Sequence, residues 1–227
     1  MNVFLNGGGC GLLTEAALKR MGQELDSSKP LLYIPLAMEK EMYPGCLQWI
    51  KKELIDVDIA AIEMVSSGEE IVERNLNDYS ALFIGGGNTF KLLYELKKSG
   101  AFSEMQKYMD NNGIIFGGSA GAIIFGKSLE PCALEDENVV GLQDITGFDI
   151  LKGISFSCHY TNQTEERNTA DTAYLTELSK KMIILALPEE DTLIVQDDIM
   201  EIIGTKKCYL FENGIRKEKL PGKCCIM

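Results

Sequence analysis

Histidine is almost missing from this chain: His159 is the only one. A reaction that needs an imidazole therefore has a single candidate, and a zinc site built on paired histidines has none. Cysteine occurs at Cys10, Cys46, Cys132, Cys158, Cys208, Cys224 and Cys225, with no Cys-x-x-Cys pair. Such an odd, scattered set in a chain of this length reads as reduced thiols in a cytoplasmic protein, not as a disulfide framework or a metal knot. Positive charge is in deficit, with 22 Lys and Arg against 34 Asp and Glu, a net charge of −12. Nucleic-acid binders carry a basic face, and docking on anionic lipid needs basic clusters, so neither partner is expected. No apolar run approaches the roughly 18 residues of a membrane span. The first residues, Met1-Asn2-Val3-Phe4-Leu5-Asn6, lack the basic flank and long apolar region of a signal peptide. The tail Cys224-Cys225-Ile226-Met227 fits the C-a-a-X prenylation pattern, but no strong polybasic run precedes it, and the match is read as chance.

What is present is an ordinary globular composition, 45% hydrophobic and 25% charged over 227 residues, enough to bury a full core. Short β-rich runs alternate with amphipathic stretches, the pattern of a parallel sheet with crossover helices. Strands are expected over residues 2–5, 31–36, 57–63, 81–84, 114–116, 154–157 and 182–187, and helices from about residue 14 and over 43–54, 67–77, 89–98, 102–110 and 164–179. Another helix should begin just after Ser119. Residues 130–148 are acidic and irregular, and are expected to form a long loop near one end of the sheet. Three further runs, 192–195, 199–203 and 208–211, read as antiparallel strands separated by Asp197-Asp198 and Gly204. Without repeats or a linker, residues 1–227 are expected to form one α/β domain with a small antiparallel appendage.

Chemistry concentrates at strand ends. Ser119 lies in Gly117-Gly118-Ser119-Ala120-Gly121, a G-x-S-x-G match between an apolar strand and a helix-prone run, the context of a nucleophile elbow. The competing reading is a plain glycine turn. His159 follows the strand at 154–157, so a parallel sheet would bring it to the same edge as Ser119. Glu189, the first carboxylate after the strand at 182–187, is the candidate to orient that imidazole, with Glu135 and Asp136 of the irregular loop as rivals. The order Ser, His, Glu is not that of an α/β-hydrolase. Gly85-Gly86-Gly87-Asn88-Thr89 opens a helix without the Gly-Lys-Ser/Thr of a P-loop, and could offer Gly87 N–H to an oxyanion beside that of Ala120. Gly7-Gly8-Gly9-Cys10-Gly11 fails the dinucleotide pattern at Leu12 and Thr14 and reads as a plain turn.

Four segments together resemble the serine peptidase family of dipeptidase E (aspartyl dipeptidase) and cyanophycinase. They are Phe83-Ile84-Gly85-Gly86-Gly87-Asn88-Thr89-Phe90, Gly117-Gly118-Ser119-Ala120-Gly121-Ala122, His159-Tyr160-Thr161-Asn162 and Ala186-Leu187-Pro188-Glu189, in the family's order. The resemblance implies a three-layer, mostly parallel α/β fold like class I glutamine amidotransferases, with small antiparallel strands at the C-terminus. It implies Ser119 as nucleophile, His159 as base, Glu189 as orienting acid, and Gly87 and Ala120 as the oxyanion hole. Asn88 and Arg167 are candidate substrate contacts. The chain departs from the dipeptidases in two places. Their Thr-Asn-Asp-Met-Pro stretch is replaced by Glu130-Pro131-Cys132-Ala133-Leu134-Glu135-Asp136, and their arginine-rich Thr-Arg-Glu-Gln-Arg motif by Thr164-Glu165-Glu166-Arg167-Asn168. Selectivity for an N-terminal aspartate would call for a basic partner, and this region is more acidic, while the hydrolytic residues are all present.

The expected activity is a cytoplasmic serine peptidase acting on short peptides through an acyl-enzyme, with no cofactor and no metal. An esterase or amidase using the same residues, or a catalytically silent binding protein of this fold, are the alternatives. The expected partners are a small peptide and, as an option, a second copy of the chain in a homodimer, with neither nucleic acid nor membrane.

Overall fold

The structure, a computed structural model, describes residues 1–196 and 199–225, with only the backbone of Cys224 and Cys225. The end of the C-a-a-X tail and the Asp197-Asp198 separator lie outside the described residues.

Two sheets build the molecule. The larger contains β1 (Asn2–Asn6), β2 (Leu31–Ile34), β3 (Ile62–Met64), β4 (Ala81–Ile84), β5 (Ile114–Gly118), β8 (Thr192–Gln196), β9 (Ile199–Ile203) and β12 (Gly222–Cys225), in the spatial order β12-β9-β8-β1-β5-β4-β2-β3. From β1 to β3 all pairings are parallel, whereas β8, β9 and β12 join antiparallel. The smaller sheet is β11-β10-β7-β6, made of β6 (Ile154–Ser157), β7 (Ile183–Ala186), β10 (Cys208–Glu212) and β11 (Ile215–Lys219). Here β6 and β7 are parallel, and β10 and β11 antiparallel.

Period-two alternation sorts the parallel strands onto two apolar faces. Phe4, Leu31, Tyr33, Ala81, Phe83 and Phe116 face α1 (Glu15–Gly22) and α2 (Tyr43–Glu53), which contribute Leu18, Met21 and Ile50. Val3, Leu5, Leu32, Ile34, Leu82, Ile84 and Ile115 face α4 (Thr89–Ser99) and α5 (Ala101–Asp110), and the same cluster runs on to Phe156 and Leu185 of the second sheet. The outer face of that sheet is covered by α7 (Glu165–Leu178), through Leu175 and Leu178 against Ile184 and Phe211. Local chemistry sets the helix ends. Asn88 caps α4 by accepting from Lys91 N–H, Gly100 ends it in the left-handed region at φ 87°, and Thr164 caps α7.

Several expectations need correction. The strand expected at 57–63 is only Ile62–Met64, because residues 57–61 spend their apolar side chains on the edge of the α1–α2 cluster and not on a ladder. The helix expected at 67–77 is α3 (Gly68–Val72) followed by a separate 3-10 turn, Leu76–Asp78, started by the Asn75 side chain. The helix after Ser119, α6 (Ala120–Ile123), is a single turn. The C-terminal strands are not an appendage: β8 and β9 extend the main sheet and β10 extends the second, since β1 and β7 each present an open edge to them. Both β11 and β12 are additional to the expected set. The strand before His159 belongs to the second sheet, not to the sheet that carries Ser119.

Phe116 lies between Phe83, with ring centroids 4.7 Å apart, and Phe4, at 6.3 Å. Its side chain is buried on the strand that leads to Ser119. Phe116→Ala should destabilise the protein by about 3–5 kcal/mol, the usual cost of emptying a packed aromatic site. Urea unfolding of the two proteins checks this, and a loss below about 1 kcal/mol would contradict the packing described.

Candidate active site

Ser119 sits where β5 turns into α6. Its backbone is at φ 53°, ψ −115°, a conformation non-glycine residues adopt under constraint. The elbow is tight: a Cβ on Gly121 would lie 2.4 Å from the Ile84 carbonyl oxygen, so only glycine lets α6 approach β4. The Ser119 N–H donates to the carbonyl of Asn6 at 3.1 Å, which anchors the turn to β1.

The Ser119 Oγ is 2.8 Å from His159 Nε2, and His159 Nδ1 is 2.8 Å from Glu189 Oε1. His159 and Glu189 are 24% and 29% exposed, enough for access while the contacts stay shielded. His159 also has a positive φ, 55°, and its N–H donates to the Gly7 carbonyl at 2.8 Å. Glu189 is fixed through its backbone: its N–H donates to Asn162 Oδ1 at 2.9 Å. The Asn162 amide in turn donates to Glu190 at 2.9 Å. Ser119, His159 and Glu189 come together not along the edge of one sheet, as the strand pattern suggests, but from two, with β6 and β7 approaching from the second.

The rival acids are elsewhere engaged. Asp136 Oδ2 accepts from Thr89 N–H at 2.8 Å, at the N-terminus of α4. Partial desolvation raises the Glu135 carboxyl above the ordinary range, opposed by the neighbouring charges of His159 and Arg167. Glu135 is thus near the imidazole, yet both ring nitrogens already have partners in Ser119 and Glu189. The Gly85-Gly86-Gly87 loop runs beside the serine; a Cβ on Gly86 would lie 3.2 Å from Ser119 Cβ. Gly87 has φ 131°, and among the described residues no acceptor takes up the N–H of Gly87 or of Ala120. Two donors are therefore left for a ligand oxygen.

Asn88 and Arg167 already carry structural contacts. Asn88 caps α4 with its oxygen, and its Nδ2 donates to the Glu137 carbonyl at 2.8 Å. Arg167 pairs with Asp171 at 2.9 Å and donates to the Leu134 carbonyl at 2.8 Å. Both clasp the acidic loop to the rim of the site. The glycine run Gly7-Gly8-Gly9 is more than the plain turn expected. A Cβ on Gly7 would lie 2.0 Å from the Pro188 carbonyl oxygen, and one on Gly9 would lie 2.2 Å from that of Glu189. The signal in the sequence is a glycine run directly after the first strand, which matches no binding motif.

A serine, an imidazole and a carboxylate in consecutive hydrogen bonds at a sheet edge make the arrangement of a serine hydrolase. Residues 7–203 match peptidase family S51, and the chain belongs to that family. It is 25% identical over 203 residues to a peptidase E of Nostoc sp., covering 85% of this chain and 80% of that protein. To a peptidase E of Salmonella typhimurium it is 23% identical over 209 residues, covering 88% and 87%. A crystal structure of a peptidase from an acI-B1 Actinobacterium superposes with a TM-score of 0.75 at 15% identity, covering 99% of this chain and 96% of the other, which establishes the shared fold. The chain is a serine-type peptidase, a hydrolase of the dipeptidase kind. Among the described residues no helix is long and apolar enough to cross a membrane.

Two residues past Glu189, Asp191 is completely buried, and its Oδ2 has no hydrogen-bond partner. Burial raises its carboxyl to about 6, against the opposing N–H donors of Lys206 and Thr205. The folded state therefore holds a proton that the unfolded chain releases near pH 4, so this group favours folding below that point. Its contribution is lost as pH rises from about 4 to about 6, a change of up to about 3 kcal/mol. Asp191→Asn should flatten that segment of the stability–pH curve, measured by urea unfolding between pH 4 and 7. A mutant curve parallel to wild type would assign the dependence elsewhere.

Proposed function

We propose that the chain hydrolyses short peptides by acyl transfer to Ser119. His159 takes the hydroxyl proton as Oγ attacks the scissile carbonyl, and passes it to the leaving amine as the C–N bond breaks. Glu189 holds the ring with Nδ1–H directed at itself and stabilises the imidazolium. The tetrahedral oxyanion is received by the N–H groups of Gly87 and Ala120. Water, deprotonated by the same imidazole, then releases the acid and regenerates Ser119. The observation that carries this reading is the unbroken chain of 2.8 Å contacts from Ser119 through His159 to Glu189. The serine elbow and the two unused N–H groups support it.

The same reading takes residues 1–227 as one peptidase domain of the class I glutamine amidotransferase type, working in the cytoplasm on peptides without a nucleic-acid partner. The mostly parallel sheet with helices on both faces and the net charge of −12 favour it. A homodimer is part of it as an option, decided by sedimentation. Selectivity for an N-terminal aspartate is not included, because Arg167 is already paired with Asp171. A dipeptide panel read by mass spectrometry defines the preference, and activity confined to esters would favour the esterase alternative.

Ser119→Ala should abolish turnover and fluorophosphonate labelling while changing stability by less than about 1 kcal/mol. Near wild-type hydrolysis by this variant would remove Ser119 from the mechanism. Glu189→Gln keeps shape but loses the charge, and a loss of about 10²–10⁴ in kcat is expected. Glu135→Gln and Asp136→Asn should each stay within about tenfold of wild type on the same substrate. A large loss at Glu135 or Asp136 with none at Glu189 would transfer the acid to the loop.

A further inference from the structure

Asn6, the last residue of β1, is fully buried and hydrogen-bonds both the Ser119 elbow and the Glu189–Thr192 segment. Its position follows from register: in the main sheet it pairs with Gly118 on one side and Thr192 on the other. One neighbour leads into Ser119, and the other follows directly on Glu189-Glu190-Asp191. The Asn6 carbonyl accepts from Ser119 N–H at 3.1 Å, and the next carbonyl, Gly7, accepts from His159 N–H at 2.8 Å. The Asn6 side chain then closes the arrangement. Its Oδ1 accepts from Gly8 N–H at 2.8 Å. Its two Nδ2 protons are shared among the carbonyls of Glu189 and Asp191, both at 3.3 Å, and Thr192 Oγ1 at 3.0 Å. Gly8 in turn lies flat against the imidazole: a Cβ there would be 2.1 Å from His159 Cε1.

We propose that Asn6 is a positioning residue for the peptidase reaction. Its amide fixes the backbone of Asn6-Gly7-Gly8, from which Ser119 and His159 hang and against which the imidazole rests. The role rests on the assignment of Ser119, His159 and Glu189 given above. Ser119 and His159 both hold positive φ angles, 53° and 55°, that neither residue adopts freely. Such conformations persist only where their surroundings over-determine them, and here each is pinned by one N–H to one carbonyl of the same short segment. A segment able to shift would move both reacting groups and the Glu189 backbone together. Displacements near 1 Å typically cost about 10²-fold in rate without a matching loss of substrate binding.

Asn6→Ala removes the amide, while Gly8→Ala keeps it and places a methyl group against the ring. Each variant is compared with wild type for kcat and KM on one dipeptide, for the rate of fluorophosphonate labelling of Ser119, and for the NMR signals of the imidazole. His159 is the only histidine, so those signals need no assignment. Circular dichroism reports folding. Both variants should lose about 10²-fold in kcat with KM within about threefold, label correspondingly slowly, and shift the imidazole resonances. A folded Asn6→Ala with kcat within about threefold of wild type and unshifted resonances overturns the proposal. Should Asn6→Ala not fold, Gly8→Ala decides, and wild-type rates with unshifted resonances there overturn it equally. Wild-type protein that resists labelling at Ser119 sinks the triad assignment, and the positioning role with it. Labelling of wild type and both variants at one rate overturns the positioning role alone.

Discussion

The hydrogen bonds from Ser119 N–H to the Asn6 carbonyl and from His159 N–H to the Gly7 carbonyl hold together parts of the chain that share no sheet. Ser119 arrives on β5 of the large sheet and His159 on β6 of the small one. The end of β1 accepts from both. It does so because β1 is paired in parallel to β5 on one edge and antiparallel to β8 on the other, which also brings the Glu189–Asp191 turn alongside. The fold's central requirement is therefore local: bare backbone at Gly7-Gly8-Gly9, thin enough for the Pro188-Glu189 carbonyls and the His159 ring to close on it.

Four carboxylates near this edge show how environment, not residue type, assigns work. Glu189 faces an imidazole nitrogen. Asp136 accepts from the Thr89 N–H at the start of α4, where the helix dipole favours negative charge. Asp191 has donors on one oxygen only, and burial raises its carboxyl. Glu135 stands near the imidazole without a ring nitrogen to accept from. What separates Glu189 from Glu135 is the hydrogen bond to His159 Nδ1.

Much of this was legible in the sequence because strand ends are legible. The apolar runs at Ala81–Ile84 and Ile154–Ser157 have the bounds their sequence indicates; Ser119 stands out by its G-x-S-x-G elbow, His159 as the lone histidine after a strand, and Glu189 as the first carboxylate past another. Which sheet a strand joins was not legible. The run at Ile154–Ser157 looks the same whether its neighbour is β5 or β7, since both partners are apolar strands. Nor was Asn6 legible: a lone asparagine before a glycine run reads as turn chemistry, and its partners lie up to 186 residues away in sequence. Residues 57–63 misled for a related reason, because Val57 and Ile59 pack as loop side chains against the helical layer. The close approach of Gly121 in α6 to the Ile84 carbonyl is likewise a tertiary constraint that helix propensity does not carry.

The long reach of Asn6 bears on biosynthesis. On a growing chain, β1 is made well before the segment it must clasp, Glu189 to Thr192. Until then Ser119 and His159 can exist without the backbone frame that holds their strained angles, and contacts so distant in sequence close late in folding. A chain that stops short of Glu189 holds the serine and the histidine without the carboxylate that meets the imidazole and without the far partners of the Asn6 amide. The parts of the site come together only once segments 186 residues apart in the chain have met.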